Sequence, residues 1–213
     1  MTPADLGVYL VTDPGMGPGL EAAVRPALEA GVRLVQLRDK EASTRSLLRD
    51  AEALLELCRE FDAKMLVNDR VDVALAVGAH GVHLGQDDMP TDTARRLLGE
   101  NAVIGVSVRS PSEARLAQAQ GADYLAANMV YATATKTDLS KPLGERGVAR
   151  LRAASSLPLV AIGGIDASNA GRVVALGADG VAVVSAIMGA SRPGRAAAEL
   201  LSVVRGALRE RDS

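Results

Sequence analysis

Short hydrophobic runs alternate with longer amphipathic segments from one end of the chain to the other. Each of eight runs is rich in Val, Leu, Ile or Ala and is predicted to form a β-strand. The predicted strands are Val8–Thr12, Leu34–Arg38, Lys64–Asn68, Gly81–Leu84, Val103–Val108, Asp123–Val130, Leu159–Ile162 and Gly180–Val184. Segments such as TRSLLRDAEALLELCREF lie between them and carry the helical period. This alternation predicts parallel strands joined by right-handed helical crossovers.

A weak internal repeat accompanies the alternation. The segments EAGVRLVQL, AVGAHGVHL, AQGADYLAA and ALGADGVAV each end a helix at a glycine and start a strand within a few residues. Glycine suits a helix C-terminal cap that needs positive φ, and the capping positions are Gly31, Gly78, Gly121 and Gly177. Several strands are apolar on both faces, which is expected when both sides of a sheet are covered.

Eight βα units predict an α/β fold, a single (β/α)8 TIM barrel that occupies residues 1–213 as one catalytic domain. The alternative is an open doubly wound sheet. No G-x-G-x-x-G motif follows the first strand, so the commonest dinucleotide-binding use of that fold is not favoured.

Composition narrows the choice of partners and compartment. The chain has 213 residues, 48% of them hydrophobic, and a formal net charge of −2, which suits a large core and argues against a nucleic-acid partner. The N-terminus lacks a secretory pattern and no apolar run is long enough to span a bilayer, so no membrane partner is expected. The single cysteine, Cys58, lies in a helical pattern as an expected buried thiol, and a cytoplasmic location is predicted.

Polar residues collect where the predicted strands end. The stretch QLRDK places Gln36, Arg38 and Lys40 on one face as the second strand ends. The next three strand ends contribute Asn68, Asp69, Asp88 and Ser107. Neighbouring strands lie about 5 Å apart, so two carboxylates beside Arg and Lys can hold Mg²⁺ on a polyphosphate. Alternatively, each aspartate is only a helix cap or a turn former.

Two further segments offer donors for a phosphate. The long polar loop YATATKTDLSKPLGERG carries Thr133, Thr135 and Lys136, although it could also be a solvated flap. The seventh and eighth strands end in AIGGI and VVSAI, where glycine amides and Ser185 fit the phosphate site common in such barrels. His83, on a strand, is better explained as a core or supporting residue than as a base.

These motifs together resemble the thiamine-phosphate synthase family. YLVTD, VQLRDK, LVNDRVDVALAVGAHGVHLGQDDMP, GVSV, TATKTD, AIGGI and GADGVAVVSAI occur in this order over nearly the whole chain. The resemblance implies transfer of the (4-amino-2-methylpyrimidin-5-yl)methyl group from its diphosphate to 4-methyl-5-(2-phosphonooxyethyl)thiazole. It also implies release of pyrophosphate, a requirement for Mg²⁺ and a dissociative path.

Residue roles follow from the same resemblance. Gln36 lies against the pyrimidine, and Asp69 and Asp88 hold the magnesium. Four side chains with catalytic roles face the diphosphate together with Asn68: Arg38, Lys40, Ser107 and Lys136. The thiazole phosphate is bound by Thr133, Thr135, Gly164 and Ser185, and Val184 also belongs to the substrate site.

Two other functions stay open. A sister enzyme, the thiazole tautomerase, shares the fold but needs a proton-transfer residue instead of a metal site. A non-catalytic barrel that binds phosphorylated metabolites is the second. The partners expected for the synthase are its two small-molecule substrates, and a homo-oligomer stays open.

One stretch departs from the family. After GADY the synthases usually carry Gly-x-Gly-Pro-x-aromatic, whereas this chain reads LAANMVY with Ala126, Asn128 and Met129 at those positions. Our hypothesis is that Asn128 in particular alters the thiazole end of the site and leaves the magnesium and pyrophosphate end unchanged. Alternatively, these residues only repack the barrel wall.

Overall fold

Eight parallel strands close into a barrel in the computed structural model, which describes residues 6–17, 19–133 and 141–213. Each strand pairs with the next one along the chain, and β8 pairs with β1. The strands are β1 Val8–Val11, β2 Leu34–Leu37, β3 Lys64–Asn68, β4 Gly81–Leu84, β5 Val103–Val108, β6 Tyr124–Asn128, β7 Leu159–Ile162 and β8 Gly180–Val183. The barrel prediction is confirmed, and the open doubly wound sheet is wrong.

Helices cover the outside of the barrel. They are α1 Leu20–Glu29, α2 Thr44–Glu60, α3 Val71–Val77, α4 Thr91–Leu98, α5 Pro111–Ala119, α6 Gly144–Ala154, α7 Ala170–Ala175, α8 Ser185–Met188 and α9 Pro193–Arg211. Within the described residues, no helix is both long and apolar enough to cross a membrane.

Four strands are shorter than the sequence predicts. Strands β1 and β2 each end one residue early because the Thr12 hydroxyl accepts the backbone N–H of Arg38 at 3.0 Å, which replaces a ladder bond. Strand β8 ends at Val183 because Val184 is already the N-cap of α8. Strand β6 covers 124–128 instead of 123–130, since the next two carbonyls accept N–H groups from the segment that leads into α6.

The apolar core has two layers on opposite sides of the strands. Inside the barrel, Tyr9, Leu34, Leu66, Tyr124 and Val160 are among the buried residues of one cluster. Residues between the strands and the helices form the larger second cluster, which includes the neighbours of those interior residues along each strand. This double burial explains why the strands read as continuous apolar runs.

The internal repeat has two structural roles. All four of its glycines have positive φ, between 67° at Gly78 and 110° at Gly31, as a C-terminal cap requires. Three repeats also place a polar side chain against the backbone N–H at or near the start of the preceding strand: His80 to Met65, Asp123 to Ile104 and Asp179 to Leu159. These bonds tie together strand starts, on the face of the barrel opposite the strand carboxyl ends.

The predicted role of Cys58 is confirmed. Its side chain is fully buried in the outer core on α2, and burial raises the pKa of the thiol to about 12. A thiol with such a pKa is not ionised near neutral pH, so it is a packing residue.

Candidate active site

A cleft of about 260 Å³ opens at the carboxyl ends of the strands. All predicted site residues that the structure describes line it: Gln36, Arg38, Lys40, Asn68, Asp69, Asp88, Ser107, Thr133, Gly164, Val184 and Ser185. Thr135 and Lys136 lie outside the described residues. The barrel therefore gathers side chains that are up to about 150 positions apart in the sequence, as expected for this face of the fold.

Two carboxylates and one ammonium group lie close together in the cleft. The Lys40 ammonium lies 3.6 Å from a carboxylate oxygen of Asp69. The pKa of Asp69 is raised to about 6, first by burial and then by the neighbouring carboxyl of Asp88, while Lys40 opposes the shift. Asp88 is held in place by the backbone N–H of Gly85, which donates to its carboxylate at 2.6 Å.

These carboxylates fit a magnesium ion. Magnesium is usually held by one or two carboxylates and takes its other ligands from water and from substrate phosphates. In the described part of the chain no cluster of three or more His, Cys, Asp or Glu side chains is suited to a metal. Asp69 and Asp88 could therefore hold the ion only together with water or phosphate oxygens, as in a complex with a diphosphate.

The raised pKa of Asp69 predicts a pH dependence of stability in the metal-free protein. Its folded pKa of about 6 exceeds the ordinary value of 3.8, so the folded state binds the proton more tightly. The contribution of Asp69 to the free energy of unfolding should then fall as pH rises from about 4 to 6. In EDTA at pH 8, Asp69→Asn should be more stable than the wild type by roughly 1–2 kcal/mol, less than the full shift corresponds to because solvent screens the partly exposed carboxylate. Below pH 4 this advantage should vanish, and thermal unfolding across pH measures both effects. An Asp69→Asn variant that gains no stability on going from pH 4 to pH 8, relative to the wild type, would contradict the pKa.

Arg38 supplies a second cation. It lines the cleft just beyond β2, and within the described part of the chain its guanidinium has no hydrogen-bond or ion-pair partner. A cation that has no partner among the described residues, beside two carboxylates that could hold a metal, is suited to an anionic ligand.

Bare backbone forms the opposite wall. Gly163 and Gly164 follow β7 with φ of 102° and 61°. A Cβ atom on Gly163 would lie 2.4 Å from the Cβ of Met129, and one on Gly164 would lie 2.5 Å from the carbonyl oxygen of Ala132. Both conformation and space require glycine here, and their main chain lies against the cleft beside Ser185.

Several polar residues of the site were given no role from the sequence. Tyr9, Gln86 and Arg109 also line the cleft, and Tyr124 lies beneath it. The interpretation of His83 is confirmed, since it is buried and bonded through its ring nitrogens to Tyr124 and Ser107. Tyr9 and Tyr124 are two of the chain's three tyrosines, and polar aromatics within otherwise apolar strands are the signal that could have revealed them.

Comparison with known proteins decides the family. A sequence model described as thiamine monophosphate synthase matches residues 8–187. The chain belongs to the thiamine monophosphate synthase family. It is 46% identical to thiamine-phosphate synthase from Moorella thermoacetica over 200 residues, which cover 94% of this chain and 95% of that protein. It is 47% identical to the thiamine-phosphate synthase from Chloroflexus aurantiacus over 202 residues, or 94% and 93% of the two chains.

A solved structure supports the same family assignment. The thiamine phosphate pyrophosphorylase from Pyrococcus furiosus superposes with a TM-score of 0.89 at 42% identity, covering 97% of this chain and 98% of that one. Membership of this family places the chain among transferase enzymes that release pyrophosphate.

The stretch that departs from the usual family pattern borders the cleft. All three residues line the cleft. Ala126 and Met129 are buried, whereas Asn128 is half-buried and its amide Nδ2 lies 3.4 Å from the Ser107 hydroxyl. The departure therefore also reaches a residue that the resemblance assigns to the diphosphate, which the sequence alone did not indicate.

Asn128→Gly is expected to shift kcat/KM for thiazole phosphate analogues relative to one another, because it removes a carboxamide from the cleft wall. Magnesium dependence should be unchanged, since Asp69 and Asp88 are untouched. Ala127→Gly, which removes one methyl from a buried neighbour in the outer core that does not line the cleft, is the matched control. If Asn128→Gly leaves the ranking of analogues as it is in the wild type, these residues only repack the wall.

Proposed function

We propose that this chain is a thiamine-phosphate synthase. It joins 4-amino-2-methyl-5-(diphosphooxymethyl)pyrimidine to 4-methyl-5-(2-phosphonooxyethyl)thiazole and releases pyrophosphate in a magnesium-dependent reaction. The observation that carries the proposal is the pairing of Asp69 with Asp88 beside Lys40 and Arg38 in one cleft of a family member. This is a charge arrangement suited to a metal-bound diphosphate.

The protein's task is to stabilise a departing anion. The bond between the methylene carbon and the diphosphate oxygen breaks, and the thiazole nitrogen supplies the electron pair of the new carbon–nitrogen bond. The electron-rich aminopyrimidine can support a cationic methylene, so a dissociative path is favoured. Arg38, Lys40 and Ser107 donate hydrogen bonds to the diphosphate. Donors that are in place before the reaction stabilise the charge that develops on the leaving group, and this raises the rate. Magnesium, held by Asp69 and Asp88, would neutralise the leaving group.

The two ends of the cleft suit the two substrates. Gln36 is buried at the base of the cleft, where its carboxamide can meet the pyrimidine. The Gly164 main chain, Thr133 and Ser185 lie along the wall formed after β6, β7 and β8 and are proposed to bind the thiazole phosphate. Val184 and Ile162 add apolar surface between these groups. We assign Thr135 and Lys136 to the phosphate and diphosphate from the resemblance.

The direct test mixes both substrates with the protein and Mg²⁺ and measures thiamine phosphate and pyrophosphate. Equal amounts of the two products, abolished by EDTA and restored by Mg²⁺, are expected. Conversion of a thiazole substrate alone without metal would point to the tautomerase. Tight binding of both substrates without turnover would point to a metabolite-binding barrel. The buried position of His83, with its ring nitrogens directed at Tyr124 and Ser107, argues against its use as a tautomerase base.

A further inference from the structure

A continuous chain of hydrogen bonds crosses the barrel interior beneath the cleft. Gln36 Nε2 lies 2.5 Å from the Tyr9 hydroxyl, which lies 3.0 Å from the Tyr124 hydroxyl. The Tyr124 hydroxyl lies 2.8 Å from His83 Nδ1, and His83 Nε2 lies 2.9 Å from the Ser107 hydroxyl. The chain therefore starts at one cleft residue, Gln36, and ends at another, Ser107.

The geometry of the barrel brings the side chains of this hydrogen-bond chain into contact. Its members stand on β2, β1, β6, β4 and β5, so no two of them are neighbours in the sequence. His83, Gly105 and Tyr124 are register partners on β4, β5 and β6. A Cβ atom on Gly105 would lie 2.0 Å from the Tyr124 ring, so only glycine lets the tyrosine reach His83.

This series of hydrogen bonds has a direction, which is set by the chemistry of Gln36. An amide nitrogen can only donate, so Gln36 donates to the Tyr9 oxygen. Each buried hydroxyl has one proton that needs an acceptor. Among the described residues the acceptor that remains for Tyr9 is the Tyr124 oxygen, and the one that remains for Tyr124 is His83 Nδ1, so Tyr9 donates to Tyr124 and Tyr124 donates to His83. A neutral histidine that accepts at Nδ1 carries its proton on Nε2, so His83 donates to Ser107. Burial raises the pKa of both tyrosines, which keeps their protons in place.

Ser107 receives a second donor at the end of the chain. Asn128 Nδ2 lies 3.4 Å from the same hydroxyl oxygen. A hydroxyl oxygen accepts two hydrogen bonds and donates one. With His83 and Asn128 both donating to it, the remaining capacity of Ser107 is its own O–H, which is left for the cleft that it lines.

We propose that Gln36, acting through Tyr9, Tyr124 and His83, fixes Ser107 as a hydrogen-bond donor toward the diphosphate in the cleft. The two tyrosines and the histidine are positioning residues in this proposal. Reversal of the chain would turn the Ser107 hydroxyl toward His83 and withdraw it from the ligand. The ligand assignment rests on the proposed function, whereas the direction of the chain is a property of the free protein.

The direction can be read from the tautomer of His83 by ¹⁵N NMR of histidine-labelled protein near pH 9 without substrate. The protein has two histidines, His80 and His83. His80 is an internal reference, because its Nδ1 accepts the backbone N–H of Met65 and its proton must lie on Nε2. In the wild type His83 should also carry its proton on Nε2. A proton on Nδ1 of His83 would overturn the proposal, whatever the variants do.

Gln36→Glu tests the control by Gln36. An ionised carboxylate can only accept, so every bond of the chain should reverse and the His83 proton should move to Nδ1. The double variant Gln36→Glu with Tyr9→Phe is the control: the connection is cut, Tyr124 can again donate to His83, and Nε2 should be protonated. An unchanged tautomer in Gln36→Glu, or the same change in the double variant, would show that Gln36 does not act through the tyrosines. Unshifted His80 signals verify the fold.

Kinetics then test the consequence for Ser107. In the wild-type background Ser107→Ala should lower kcat by about 10²–10³, as the loss of a preorganised donor does. In the Gln36→Glu background the hydroxyl already faces His83, so the further loss from Ser107→Ala should approach onefold. If Ser107→Ala lowered kcat by the same factor in both backgrounds, the coupling between Gln36 and Ser107 would be refuted. The NMR measurements need no substrate. They can therefore contradict the proposed direction of the hydrogen bonds while synthase activity is observed, and they can support that direction in a protein without synthase activity.

Discussion

Replacing either Asp69 or Asp88 with asparagine is expected to lower turnover by orders of magnitude while the barrel stays folded. Each change keeps the size of the side chain but removes one of the hard anionic ligands that magnesium prefers. The amide oxygen of an asparagine at position 88 can still accept the Gly85 N–H, so the loop should hold its shape. Steady-state kinetics over a Mg²⁺ titration, with circular dichroism as the check on folding, measure the effect.

Asp87→Asn is the matched control for this prediction. Asp87 is exposed, lines the same cleft and neighbours Asp88 in the sequence. The Asp87→Asn variant changes the net charge by the same amount. A loss of turnover that is confined to Asp69→Asn and Asp88→Asn therefore separates metal binding from a general loss of negative charge. Normal magnesium-dependent activity in both site variants would remove the metal assignment.

Loss of the cations that we assign to the leaving group should have the second-largest effect. Arg38→Ala and Lys136→Ala are each expected to lower kcat by about 10²–10³, because a preorganised donor acts on the charge that develops as the diphosphate departs. Thr135→Ala should instead raise the KM for the thiazole phosphate, since the resemblance places that hydroxyl on the substrate's phosphate. Separate titrations of the two substrates distinguish the effects.

Arg59→Ala, in the exposed last turn of α2, removes the same charge at the helix end opposite the cleft and should leave both constants near their wild-type values. If Arg38→Ala, Lys136→Ala and Thr135→Ala all changed only the KM for the pyrimidine substrate, the division between leaving-group and thiazole roles would be wrong.

The architecture was predictable because it follows from local pattern. Strict alternation of apolar runs with amphipathic segments admits few folds, and the capping glycines Gly31, Gly78, Gly121 and Gly177 marked the ends of four helices correctly. Strand bounds were less certain at the carboxyl ends. There a side chain such as Thr12 competes with the backbone for the N–H of Arg38, and the competition depends on a neighbouring strand.

Much of the candidate site was also predictable. In a parallel barrel all strands end at one face, so Gln36, Asn68, Asp69 and Ser107 had to meet there whatever their distance in the sequence. The motifs that resemble the synthase family supplied their roles, and the family match agrees with that resemblance.

The sequence by itself therefore determined the fold class, the face that carries the site and the family. Only the tertiary structure decided which interior side chains touch. Closure of the barrel and the register of β4, β5 and β6 bring Tyr124 across Gly105 to His83, and Tyr9 reaches Tyr124 across the interior. The same holds for the pKa of Asp69, because burial and the approach of Asp88 are properties of two strand ends brought together in space.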